Sequence, residues 1–182
     1  MPTLLTHPAV PLALGAGLGA RVVPPRLLAA GVLGAVLPDA DVVAFKLGIA
    51  YADAFGHRGA SHSMTFALLL GALAAALARP LRTTPARAFA FVALATVSHP
   101  LLDAVTTGGL GVALLWPLSS ERFFAPWQVI AVSPISLSRF LGERGLAVLR
   151  SEALWVWLPA TALAAGMWVS RRPGGPLSRL DG

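Results

Sequence analysis

Long apolar stretches alternate with short polar connections along the chain. The stretches cover residues 8–20, 26–45, 64–78, 86–106 and 152–170. A helix needs about 20 apolar residues to cross the hydrocarbon of a bilayer, so these stretches are five candidate membrane helices. The first is shorter, which suits a helix that is tilted, extended by residues 1–6, or only partly inserted. The pattern predicts an all-α fold, a polytopic membrane bundle of about five helices, in a single domain over residues 1–182.

The longest connection, residues 108–150, differs from the other connections. It begins with two glycines that can end a helix, and it contains Trp116 and Trp127, which suit a membrane interface. Its last part, residues 138–150, spaces apolar side chains among arginines as an interfacial amphipathic helix does. We expect this segment to lie over the membrane surface and to roof a site.

The composition agrees with a membrane protein. The chain is 56% hydrophobic and 12% charged, and its mean hydropathy is +0.73, far from an ordinary soluble domain. The net charge of +6 comes from basic residues scattered over the connections, so we expect membrane lipids and no nucleic acid as partners. There is no cysteine, which excludes disulfides and thiolate metal sites.

The basic residues also predict the orientation in the membrane. If the amino terminus is outside, eight arginines and one acidic residue, Asp181, lie inside. Positive charge on the cytoplasmic side is the usual arrangement. We therefore expect a multi-pass protein of the cell (inner) membrane with a cytoplasmic carboxyl terminus. The eight arginines are Arg21, Arg26, Arg79, Arg82, Arg87, Arg171, Arg172 and Arg179.

Histidines and aspartates recur at one end of the predicted helices. Four helices would bring them together at one face of the membrane, on the non-cytoplasmic side in this orientation. Ionisable groups at such a place are costly unless they have partners or a function. The predicted cluster consists of His7, Asp39, Asp41, His57, His62, His99 and Asp103.

Imidazole nitrogen and carboxylate oxygen are ligands for zinc, manganese and iron. His99 and Asp103 are four residues apart, so they share one face of a helix. The whole set exceeds what one tetrahedral ion uses. We therefore expect a divalent transition metal, zinc first and manganese as the alternative, and consider two ions. Two neighbouring ions can activate a water for attack on a phosphoester or an amide.

Some of these residues also have a simpler interpretation, whereas the metal interpretation is favoured for His62, His99 and Asp103. His7 is equally consistent with an interfacial anchor. Asp39 can cap a break at Pro38, and Asp41, two residues later, does not share its face in a regular helix. One of these aspartates could therefore orient a histidine instead of binding metal.

Ordered motifs give a more specific indication. They are Thr6-His7, Leu37-Pro38-Asp39-Ala40-Asp41, the block from His57 to Ser63, His99-Pro100-Leu101-Leu102-Asp103 with Thr106-Thr107, and Trp116-Pro117 followed by Arg122. In these motifs the sequence resembles the YdjM-like family, described as membrane-bound, metal-dependent hydrolases. The resemblance implies a helical membrane fold and hydrolase chemistry. The layout is also similar, more loosely, to zinc-dependent phospholipase C, which points to phosphoesters such as a lipid head group.

The resulting hypothesis is a membrane-bound metal-dependent hydrolase that acts on a phosphoester or lipid-linked substrate at the membrane surface. Asp39 would accept a proton from water, and Arg58 and Arg122 would balance the charge of an anionic substrate. Two other classes stay open. A transporter could use the histidines and aspartates as a metal or proton pathway, whereas a non-catalytic membrane adaptor would need no convergent ligands.

Overall fold

The computed structural model of the protein describes residues 1–134 and 137–171, and these residues form helices joined by loops, without a strand. A 3-10 helix, Leu37–Val42, joins α2 to α3, and a π-helical turn, Ala153–Trp157, joins α7 to α8. The helices are α1 (Ala9–Leu18), α2 (Pro25–Val36), α3 (Val43–Lys46), α4 (Met64–Ala76), α5 (Pro85–Ala104), α6 (Leu137–Phe140), α7 (Glu143–Glu152) and α8 (Leu158–Ser170).

Three continuous helical runs are long and apolar enough to cross a membrane: Pro25–Lys46, Pro85–Ala104 and Glu143–Ser170. Two shorter apolar helices, α1 and α4, accompany them. The predicted all-α membrane bundle of about five helices is therefore confirmed. The amphipathic helix expected within residues 138–150 is present as α7, and it continues through the π-helical turn into α8.

The π-helical turn coincides with a proline. Pro159 lies in the first turn of α8, where its ring lacks an N–H and crowds the carbonyl four residues earlier. A wider turn before it relieves that conflict. The helix can therefore continue past the proline as one run.

The bundle is built around α5, which packs against α4 and against α2, while α1 packs against α8. Small residues let α2 and α5 approach closely. A Cβ added at Gly31 would lie 2.3 Å from a ring carbon of Phe91, and one at Gly34 would lie 2.7 Å from Oγ1 of Thr96. The contact therefore depends on glycine at both positions.

Residues 105–134, which we call the roof, cover the helix ends that carry the histidines. Two isolated bridges pair Thr106 with Ile130 and Val112 with Phe123. The amide of Ala113 donates to the carbonyl of Arg58 at 3.0 Å, so the roof is tied to the histidine-rich segment before α4. The roof thus closes the polar end of the bundle.

Candidate metal centre

A tight turn brings His57 and His62 to the same place. Arg58 has a positive φ of 63°, and Gly59 follows it. A Cβ at Gly59 would lie 2.2 Å from the carbonyl oxygen of Ala54, so only glycine fits there. Ser63 then caps α4, because its Oγ accepts a hydrogen bond from the amide of Phe66 at 3.1 Å.

Four side chains from three segments form the centre of the cluster: Asp39, His62, His99 and Asp103. One ligand atom from each lies within 4.8 Å of the others, and all four residues are buried. Nε2 of His99 is 3.5 Å from Oδ1 of Asp39, and Nε2 of His62 is 3.4 Å from Oδ2 of Asp103. A spacing of this kind suits ligands that surround one ion.

His7 completes this group from the segment before α1. Its Nε2 lies 3.6 Å from Oδ2 of Asp39 and 3.8 Å from Oδ1 of Asp103, and its ring stacks on His99. Burial, together with the nearby His99, lowers the pKa of His7 to about 3. Its imidazole is therefore neutral at physiological pH, the form that binds metal.

Many polar atoms of this group make no hydrogen bond within the described part of the chain. They include both carboxylate oxygens of Asp39 and of Asp103 and both ring nitrogens of His7. Leaving buried polar atoms unpaired is costly, and buried carboxylates need a positive partner. The guanidinium of Arg58 is one such partner for Asp103. A bound cation would satisfy the remaining atoms, so the donor set fits a metal ion.

The orientation of two histidines supports the same conclusion. Nδ1 of His99 donates to the carbonyl of Ala35 at 2.7 Å, and Nδ1 of His62 lies 3.1 Å from Oδ2 of Asp41. These contacts assign the protons to Nδ1 and leave a lone pair on each Nε2. The two Nε2 atoms are only 3.0 Å apart, close to the roughly 3.3 Å between two nitrogens on one tetrahedral zinc ion.

Without a metal ion, His62 favours a proton. Burial lowers the pKa of His62, but the neighbouring carboxylates of Asp103 and Asp41 outweigh burial and raise it. A proton on Nε2 of His62 would face His99. A metal ion and a proton would therefore compete for the same nitrogen.

Asp41 has a different role from Asp39. It pairs with His57, whose Nδ1 is 2.6 Å from Oδ1, and it accepts a hydrogen bond from Oγ of Ser61 at 2.6 Å. Asp41, His57 and His62 are also close enough to hold an ion. Their polar atoms already pair with each other, however. Asp41 therefore serves best to orient His57 and His62. Because Leu37–Val42 is a 3-10 helix, Asp39 points to the candidate metal centre and Asp41 points to His57.

The two arginines bind protein groups. Arg58 is 1% exposed, and its Nε lies 2.9 Å from Oδ2 of Asp103, while its other nitrogens donate to Gly108 and Thr106. Arg122 is half-buried and donates to the backbone carbonyls of Tyr51, Asp53 and His57. Arg58 therefore orients Asp103, and Arg122 holds the loop that carries His57.

One residue that supports the site, Glu152, was not predicted from the sequence. It is 1% exposed and receives hydrogen bonds from the amide of Thr3 and from the hydroxyls of Thr3 and Thr6, the latter two at 2.8 Å. Trp157 also donates to Thr6 at 3.2 Å. Glu152 thus fixes the segment that presents His7. Its sequence signal was an acidic residue at the start of an apolar helix.

Comparison with known proteins agrees with this picture. The family model described as "YdjM inner membrane protein" matches residues 1–173. The chain is also 53% identical over 173 residues to the inner membrane protein YbcI of Escherichia coli (strain K12). This match covers 94% of this chain and 100% of that protein. No solved structure matches the chain. The resemblance to the YdjM-like family is therefore confirmed.

Proposed function

Because the chain belongs to the YdjM family of inner membrane proteins, we propose that it is a membrane-bound hydrolase that depends on a divalent transition metal. The proposed substrate is a phosphoester or a lipid-linked compound at the membrane surface. The observation that carries this proposal is the buried cluster of carboxylates and imidazoles, in which the carboxylates of Asp39 and Asp103 and the imidazole of His7 have no hydrogen-bond partner among the described residues. Ordinary structural residues do not account for so many unpaired polar atoms in one place.

Four residues would hold the ion: Asp39, His62, His99 and Asp103, with His7 as a further ligand beside them. Zinc is the metal that this donor set favours, and manganese is the alternative. Such an ion lowers the pKa of water and stabilises the charge that develops on a phosphoryl or carbonyl oxygen. One ion is enough in this proposal, because the atoms of Asp41 and His57 are already paired.

The remaining chemistry belongs to the side chains. Oδ1 of Asp39 faces His62 and His99, whereas Oδ2 faces His7. Asp39 can therefore contribute one oxygen to the ion and accept a proton from water at the other. Arg58 keeps Asp103 in place. Arg122, the more accessible arginine, provides positive charge for an anionic substrate that approaches the roof.

A metal or proton transporter is the second candidate, and complete burial of the cluster favours it. His7, His62, His99 and Asp103 are each 0% exposed. A buried relay suits ion passage, but the cluster lies at one end of the helices, whereas transporters usually bind near the middle of the membrane. Hydrolysis at the surface fits that position better.

An assay on purified protein tests the proposal. Wild type is loaded with Zn²⁺ or Mn²⁺ and given a panel of lipid and soluble phosphoesters. Asp103→Ala should lose metal and turnover together, because a ligand is gone. Arg122→Lys keeps the charge but loses the planar fork, so it should reduce turnover more than metal content.

The matched control is Ser98→Ala, which removes a hydroxyl next to His99 in sequence; within the described part of the chain this hydroxyl donates to the carbonyl of Ala95. It should keep both metal and turnover. If metal-loaded wild type cleaves nothing while vesicles show metal or proton flux that depends on His62, the transporter replaces the hydrolase.

A further inference from the structure

A pocket of about 370 Å³ opens beside the metal centre. It lies between α4, the roof and the loop before α4. Its volume is within the usual range of small-molecule sites. Its apolar walls are formed by Phe55, Phe66, Leu69 and Trp116.

One wall of this pocket is shared with the outer face of α4. Leu68, Leu69 and Leu73 point outward from that helix and are 52%, 63% and 56% exposed. In an inner membrane protein, such an apolar helix face lies against lipid. Leu69 belongs both to this face and to the pocket, so an apolar chain can pass from the bilayer into the pocket without crossing a polar surface.

The lining of the pocket also includes polar groups. Ser61 and Asp41 line it, and Oγ of Ser61 donates to Oδ2 of Asp41 at 2.6 Å. The same carboxylate contacts Nδ1 of His62, whose Nε2 faces the metal centre. The pocket therefore connects a lipid-facing surface to the residues that support the proposed ligands.

We propose that this pocket binds the apolar chain of a membrane lipid and brings the polar part of that lipid to Ser61 and Asp41. The inference rests on the proposed hydrolase function and names its substrate class, an amphiphilic lipid. A soluble phosphoester would gain nothing from four apolar side chains that open towards the bilayer. The apolar walls thus determine which substrates are retained at the site.

Photolabelling tests the binding site directly. The full-length protein is reconstituted in vesicles that contain a phospholipid with a diazirine in its acyl chain, and labelled peptides are identified by mass spectrometry. We expect labelling of residues 60–69 and of Trp116. Ala60→Phe fills the pocket and should reduce this labelling roughly tenfold, since small volume changes in apolar pockets alter binding by this order.

The matched control is Ala90→Phe, which lies in a different apolar pocket, of about 220 Å³, lined by Arg87 and Phe91. It should leave the labelling of residues 60–69 unchanged. Leu69→Trp enlarges a wall residue of the pocket and serves as the second blocking variant if Ala60→Phe does not fold. Equal labelling in wild type and in the folded blocking variant overturns the proposal.

Two further readouts separate this inference from the proposed function. In a folded blocking variant, metal content and turnover of a soluble phosphoester should match wild type, while turnover of the lipid phosphoester falls. If both turnovers stay at the wild-type level, the lipid pocket is rejected and the hydrolase stands. If wild type is labelled in the pocket but cleaves neither substrate, lipid binding stands and the hydrolase is rejected.

Discussion

His62 links the two halves of the polar cluster through the two nitrogens of one ring. Nδ1 contacts Asp41, which also binds His57 and Ser61, and Nε2 faces Asp103 and His99. A carboxylate behind a histidine fixes its tautomer and makes it a better ligand. Loss of this ring therefore removes a ligand and also disconnects the support behind it.

We predict that His62→Ala and His99→Ala each lower the metal content of the purified protein well below one ion per chain. Outer-shell changes alone often weaken metal binding about 10- to 100-fold, and removal of a ligand should exceed that. Elemental analysis of protein purified from the membrane measures the effect. Ser98→Ala should retain the wild-type content. Wild-type metal in both histidine variants would reject the ligand assignment.

At the carboxyl-terminal end of α7, Glu152 binds the amino-terminal segment. Its partner Thr3 lies 149 residues earlier in the chain. Oε1 of Glu152 accepts a hydrogen bond from the amide of Thr3, and Oε2 accepts from the hydroxyls of Thr3 and Thr6. His7 follows directly and reaches the metal centre. A contact between the last long helix and the amino terminus therefore sets the position of one proposed ligand.

Glu152→Gln should weaken metal binding roughly tenfold, since an amide has one acceptor oxygen where the carboxylate has two. Competition with a chelator in detergent gives the affinity. Glu143→Gln, at the exposed start of the same helix, is the control and should bind metal as wild type does. Equal affinities for both variants would show that Glu152 does not position His7.

Helix packing gives a separate prediction for Gly31. Gly31→Leu places side-chain atoms where Phe91 lies, so it should reduce the free energy of unfolding by about 1–3 kcal/mol. Gly166→Leu is the control, because no described residue beyond its chain neighbours and its own helix backbone lies within 4 Å of an added Cβ there. Thermal unfolding in detergent compares the two variants. A Gly31→Leu protein as stable as Gly166→Leu would contradict the close packing of α2 on α5.

The positions of residues on regular helices were predictable from the sequence. The positions of residues in irregular turns, and the contacts between distant helices, were not. His99 and Asp103 lie on one helix, so their spacing placed them on one face. Asp39 and Asp41 lie in a 3-10 helix, where the α-helical period does not say which one faces the candidate metal centre and which one pairs with His57. The contact of Glu152 with Thr3 leaves no local pattern, because it depends on how distant helices pack.

At the scale of the whole molecule, the two ends of the bundle carry different groups. The histidines and aspartates gather under the roof, and the connections at the opposite end carry arginines, one of which, Arg26, donates to the carbonyl of Pro80 at 3.1 Å. The tail with Arg172, Arg179 and Asp181 lies outside the described residues. The membrane location is shown by the family, and the sidedness stays a prediction from charge.

Reporter fusions test that sidedness. A fusion after Gly182 should report the cytoplasm, and an insertion within residues 108–111 of the roof should report the opposite side. The physical reason is the retention of positively charged connections on the cytoplasmic side. Both reporters on one side would contradict the topology. If the reporter after Gly182 lies outside and the reporter within residues 108–111 lies in the cytoplasm, the candidate metal centre is at the cytoplasmic face.

The anchoring of residues 3–7 by Glu152 has a consequence for biosynthesis. His7 is synthesised before its anchor, because Glu152 lies at the end of α7 and is made only after α1 to α6. The nascent chain therefore contains all the proposed ligands while the segment that carries His7 is still unanchored. In the proposed metalloprotein, high-affinity uptake of the ion would wait for α7, so the finished membrane protein would acquire it.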